Sequence, residues 1–122
     1  MESVNNLSFV HFNVNSILAD VNLAVPLEHQ FSKLQEIEQS FIKEHNFKII
    51  ALSETKLSAE ISDKYLDILP SYTCKDFRKD VNRHQKGLLV YVHSNLNATR
   101  RIDLESHFTQ MICIELALME KR

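Results

Sequence analysis

Residues 47–57 read Phe-Lys-Ile-Ile-Ala-Leu-Ser-Glu-Thr-Lys-Leu. Phe47 to Ser53 has the length and composition of a buried strand, and Glu54 ends it. Before it, Leu27 to His45 shows helical spacing. Leu27, Phe31, Leu34, Ile37 and Phe41 recur every three or four residues, with Gln and Glu between them. Pro26 stands just ahead, where proline is tolerated at a helix start. Further out, Leu7 to Asn13 (LSFVHFN) reads as a first strand, apolar on both faces, and an Asn-containing connector, Val14 to Pro26, follows it. A strand, a helix and a strand at this spacing favour a right-handed unit with the two strands parallel.

Downstream, Ser62 to Leu69 is a weaker helical turn stopped by Pro70. Tyr72 to Phe77 reads as a strand, and Lys75 to Lys86 as a polar, mostly basic loop. Leu88 to His93 (LLVYVH) is a strand, apolar on both faces. Phe108 to Leu118 alternates, with Phe108, Ile112, Ile114, Leu116 and Leu118 on one side, as a last strand facing a core. No internal repeat, low-complexity segment or linker interrupts the chain. The expected organisation is a disordered N-terminus over 1–6, one folded unit over 7–118 and a tail over 119–122.

The composition narrows the classes. With 122 residues, 44% hydrophobic and 25% charged, the chain is long and apolar enough to bury a core. Average usage predicts roughly eight or nine glycines; the chain has one, Gly87. That excludes a glycine-rich phosphate cradle and flexible Gly/Ser linkers. A formal net charge of −2 argues against a simple nucleic-acid clamp, although a local basic patch is compatible with it. Cys74 and Cys113 lack C-x-x-C spacing and read as reduced thiols in strands. The six histidines show no zinc-binding spacing. Met1 to Asn6 is polar, without the features of a signal peptide, and no apolar run is long enough to span a membrane. An intracellular location, nuclear or cytoplasmic, is the expectation. The sequons at Asn6 and Asn97 then read as chance matches.

In a parallel β–α–β unit both strands end at the same sheet edge, where ligands of open α/β sheets bind. Asn13 ends the first strand and Glu54 the second. A carboxylate beside a carboxamide suits Mg²⁺ and phosphate, because Mg²⁺ takes oxygen ligands and often only one or two protein carboxylates. The plainer reading makes both residues polar simply because strands emerge into solvent there.

The local words add to this geometry. Asn13-Val14-Asn15-Ser16-Ile17 follows one strand and Ser53-Glu54-Thr55-Lys56-Leu57 another. Arg78-Lys79-Asp80 comes next, then Lys86-Gly87-Leu88-Leu89-Val90-Tyr91-Val92. In order and approximate spacing this resembles the endonuclease/exonuclease/phosphatase (DNase-I-like) superfamily. The resemblance is closest to the apurinic-type endonuclease domain of non-LTR (LINE-like), reverse-transcriptase-associated retrotransposons. It covers Leu7 to Leu118 but only the first half of that family's domain.

The resemblance implies an α/β (α+β) fold, the N-terminal half of a four-layer αββα sandwich with a mixed sheet. It implies Glu54 as Mg²⁺ ligand and Asn13 as the residue positioning the scissile phosphate or the attacking water. Asn15 falls where some relatives carry an acidic residue near the metal, and it counts among the candidate nucleic-acid-binding residues. Arg78, Lys79, Arg83 and Lys86 would approach a DNA backbone, though each reads equally as part of a solvated loop. Two departures stand out. The family's glycine pair is here Lys86-Gly87. The second-half motifs (Tyr, Asp-x-Asn and Ser-Asp-His) have no counterpart, and His84, His93 and His107 precede their place. The expectation is a nuclease-like piece with little or no activity alone. Its sheet would be left open for the missing half or another protein to cover. Leaving about 400 Å² of apolar area exposed forfeits roughly 10 kcal/mol. Two other readings stay open: a phosphatase or phosphodiesterase of the same superfamily, and a non-catalytic protein-interaction module.

Overall fold

The computed structural model describes residues 7–18, 31–45, 47–106 and 110–117. The expected N-terminal segment and tail, the helix start at Leu27, and Phe108 and Leu118 lie outside these residues. The elements in chain order begin with strand β1 (Phe9–Asn13) and helix α1 (Ser32–Ile37). A π-helical stretch, Glu38–Ile42, and a closing turn α2 (Lys43–His45) continue the helix. Strands β2 (Ile49–Ser53), β3 (Tyr72–Thr73), β4 (Arg78–Lys79) and β5 (Leu88–His93) follow. Strands β6 (Asn97–Arg100) and β7 (Ile114–Ala117) come last. Over the described residues the chain is thus a mixed α+β protein, mostly strand, with one α-helical segment, two short 3-10 turns (Asp63–Tyr65 and Ile102–Leu104) and a mixed sheet.

Strands β1 and β2 are parallel, in register from Phe9 opposite Ile49 to Asn13 opposite Ser53. β2 pairs antiparallel with β5, whose other edge carries both β3 and β4. One face of this sheet presents Ile50, Leu52, Leu89 and Tyr91 to Phe31, Leu34 and Ile37 of the helical segment, and all of them are buried. These residues are the main core. Tyr91 lies within it and donates its hydroxyl to the Leu66 carbonyl, so burial leaves no orphan phenol. Cys74 is buried beside it, and burial pushes its thiol up to about 12; both cysteines are free.

The opposite face holds Phe77, Val90 and Val92. Sequence alone leaves the second apolar face of β5 open. In the structure the antiparallel β6–β7 pair lies over it, with Ala98, Ile112 and Ile114 packed against those residues. The cover does not extend to β1, where Phe9 remains 71% exposed. β1 is therefore buried on one face only: Val10 and Phe12 meet the core, while Phe9, His11 and Asn13 are exposed.

Three further differences have physical reasons. The helix is not regular, because its middle widens to π-helix over Glu38–Ile42. That wider period lets Ile42, five residues after Ile37, pack on the same core. The strand expected over Tyr72–Phe77 is only Tyr72–Thr73, since Ser71 and Asp76 adopt positive φ and turn the chain at both ends. Finally, the basic stretch from Lys75 to Lys86 contains β4, which pairs Arg78 with Leu89 and Lys79 with Leu88.

Candidate functional site

The parallel pairing sends both chains out of the sheet at the same edge, and the lacing continues beyond the strands. Val14 N–H donates to Ser53 O at 3.0 Å, Ser16 N–H to Glu54 O at 2.7 Å and Ile17 N–H to Thr55 O at 3.0 Å. Four residues in these two loops sit in the left-handed region: Asn15 (φ +47°), Ser16 (+82°), Glu54 (+54°) and Lys56 (+55°). Asn tolerates this conformation, whereas for the others it costs about 1–2 kcal/mol per residue. Strain gathered in two adjoining loops is the kind found where geometry serves a site.

Asn13 and Glu54, 41 residues apart, meet there. The Asn13 carboxamide donates through Nδ2 to Glu54 Oε2. Its Oδ1 accepts from Asn15 N–H at 3.1 Å, which fixes which end of the amide faces the carboxylate. Lys86 Nζ stands 3.5 Å from Glu54 Oε1. The Asn13 bond, more than the charges of Lys86 and Lys56, holds the Glu54 carboxyl below its ordinary range, against partial desolvation. Glu54 is accordingly an ionised acceptor whose side chain keeps 30% of its surface exposed.

The remaining expected residues divide. Asn15 joins the edge, and its Oδ1 accepts from Lys56 Nζ at 2.9 Å. Lys86 joins it through Glu54. Arg78 turns inward, bonding Asp80 at 2.7 Å, Asp63 at 2.9 Å and the Ser58 carbonyl at 2.9 Å, with 13% of its side chain exposed. Lys79 pairs with Glu105 at 3.3 Å. Arg83 lies exposed in the turn closed by Asn82 N–H to Gln85 O at 2.9 Å. Electrostatically, the Glu54 carboxylate lies in the field of Lys86 and Lys56.

Sequence reasoning passed over three contributors. Lys56 was legible, two residues beyond Glu54 in the same word. Lys33 was not, because nothing local links a helix residue to the 14–16 turn, whose carbonyls it binds. His11 Nε2 shares a 2.9 Å hydrogen bond with Ser53 Oγ, a pairing set by the register.

Among the described residues no group of three or more His, Cys, Asp or Glu could hold a metal ion. The edge itself offers chiefly oxygen donors, Glu54 first. That set fits Mg²⁺ in kind, since Mg²⁺ keeps its waters and takes one or two carboxylates with substrate phosphate. Among the same residues no helix is long and apolar enough to cross a membrane. No protein-family model, curated protein or solved structure matches the chain.

Proposed function

We propose that this chain carries the metal- and phosphate-binding half of a Mg²⁺-dependent phosphodiesterase site, of the DNase-I-like kind found in non-LTR retrotransposon endonucleases. On this reading its two packed sheets and outer helix belong to a four-layer αββα sandwich. The observation that carries it is the Asn13 carboxamide bonded to the Glu54 carboxylate at the common edge of two parallel strands. Lys56 and Lys86 flank that pair and suit a phosphodiester backbone.

Glu54 would hold the ion through the oxygen that now faces Lys86. The Lys86 side chain is 65% exposed, so swinging it aside costs less than about 1 kcal/mol. Bound there, Mg²⁺ supplies charge stabilisation to a phosphate oxygen. Asn13 keeps Glu54 ionised and aimed. Lys86, once released, and Lys56 offset phosphate charge. The described histidines do not stand as a base at this edge. His93 opposes Tyr72 at the other end of β5, His45 packs against Phe47 ahead of β2, His84 is exposed in a turn, and His11 is engaged by Ser53. With no such base among the described residues, we expect hydrolysis by this chain alone to be slow or absent.

The test is duplex-DNA binding with and without Mg²⁺, beside Glu54→Gln, together with a supercoiled-plasmid nicking assay. Mg²⁺ should tighten DNA binding by the parent about tenfold, and Glu54→Gln should abolish that gain. Nicking should stay at background in both. DNA binding indifferent to Mg²⁺ contradicts the site, and robust nicking lost in Glu54→Gln contradicts the inactivity. A second reading, a protein-interaction module, is favoured by the exposed Phe9 and predicts partner binding without Mg²⁺.

A further inference from the structure

We infer that Lys33 is the positioning residue of the Asn13–Glu54 edge, a built-in cation that clamps the 14–16 turn and thereby aims the Asn13 carboxamide. The inference rests on the proposed phosphodiester site for its consequence. Its substance rests on hydrogen-bond geometry.

Lys33 lies in the first turn of α1, across the connector from the strand end it serves. Its Nζ donates to Val14 O at 2.7 Å, Ser16 O at 2.7 Å and Asn15 O at 3.3 Å. An ammonium has three N–H donors, and three successive carbonyls take them all. Carbonyls converging on one point repel each other unless a cation sits between them. Here the left-handed Asn15 and Ser16 turn them that way, and Lys33 supplies the charge.

The clamp passes to the site through two hydrogen bonds. Asn15 N–H fixes Asn13 Oδ1, leaving Nδ2 for Glu54. Ser16 N–H fixes the Glu54 carbonyl at 2.7 Å. These Lys33 bonds all end on main-chain oxygen, so it acts on Asn13 and Glu54 through the turn.

The test uses the full chain, ¹⁵N-labelled, without metal or DNA. In the parent, one Asn13 side-chain amide proton should resonate downfield and exchange slowly, because it donates to a carboxylate. Lys33→Ala should move that signal to the position of a free amide, n-propylammonium should restore it, and the neutral n-propanol should not. An unchanged Asn13 signal in folded Lys33→Ala, or equal restoration by propanol, overturns the inference. Should Lys33→Ala fail to fold, the parent decides: an Nζ–H signal protected relative to exposed lysines supports the clamp, and an unprotected one overturns it. Mg²⁺ titration of the same samples should show about tenfold weaker binding in Lys33→Ala, recovered by propylammonium. A parent that binds no Mg²⁺ defeats the proposed function, while the Asn13 signal still decides the role of Lys33.

Discussion

Gly87 has φ +102°, and a Cβ built on it would stand 2.4 Å from Thr55 Oγ1. Two independent reasons thus converge on the chain's one glycine. The residue before it, Lys86, is not among those with positive φ, so its side chain meets no such constraint. Gly87→Ala should cost about 3 kcal/mol in urea unfolding, combining left-handed strain with overpacking. The Thr55 hydroxyl facing it is buried without a hydrogen-bond partner. Thr55→Val should therefore leave stability within about 1 kcal/mol of the parent, on the favourable side. At this scale the sequence was legible where chemistry is local. Asn13 closes the strand β1, and Glu54 directly follows β2. Lys33 was hidden because its partners are main-chain atoms, which carry no residue-type signature.

The small β6–β7 sheet is bolted to the main sheet by one ion cluster. Arg100 forms a bidentate pair with Glu105, both contacts at 2.9 Å, and also reaches the Asp76 carbonyl at 2.9 Å. Glu105 further accepts from Cys113 N–H at 3.0 Å and pairs with Lys79 of β4. The Arg100 bond first, then the Cys113 amide and Lys79, pull the Glu105 carboxyl from an ordinary 4.5 down to about 2 against the opposing effect of burial. A depressed carboxyl stabilises the fold fully above its unfolded value and loses that contribution as pH falls towards its folded one. Glu105→Gln should thus cost about 3 kcal/mol at neutral pH, since it strands a largely buried arginine. The gap between parent and variant should narrow from pH 4.5 to pH 2, read from urea midpoints. A gap constant over that range contradicts the role given to Glu105. β6 itself (Asn-Ala-Thr-Arg) escaped the sequence reading because it lacks apolar alternation. Its strand form depends on β7 and on the Arg100 bolt, both tertiary. β5, apolar throughout, was legible to the residue.

Over the whole molecule, burial is uneven. Among the described residues the helical side of the mixed sheet is closed, and the far side is closed over β5 and partly over β2, through Ile49 and Ala51, leaving Phe9 on the edge strand β1 in solvent. Exposed aromatic surface beside an edge strand promotes self-association. Phe9→Ser should reduce concentration-dependent light scattering while changing stability by less than about 0.5 kcal/mol. The sequence could indicate apolar faces, but which of them the chain covers for itself depends on where its last strands fold.

The parallel partnership of β1 and β2 has a kinetic consequence. β4 meets β5 with Lys79 opposite Leu88, and β6 meets β7 with Arg100 opposite Ile114, so both pairs close short stretches of chain. Asn13 reaches Glu54 only by closing 41 residues, at an entropic cost of about 3 kcal/mol before any constant term. Local pairs form early and distant ones late. During refolding, amide protection should appear in β4–β7 before β1. The carboxamide–carboxylate pair is then among the last features to assemble, so a chain that displays it has completed its fold.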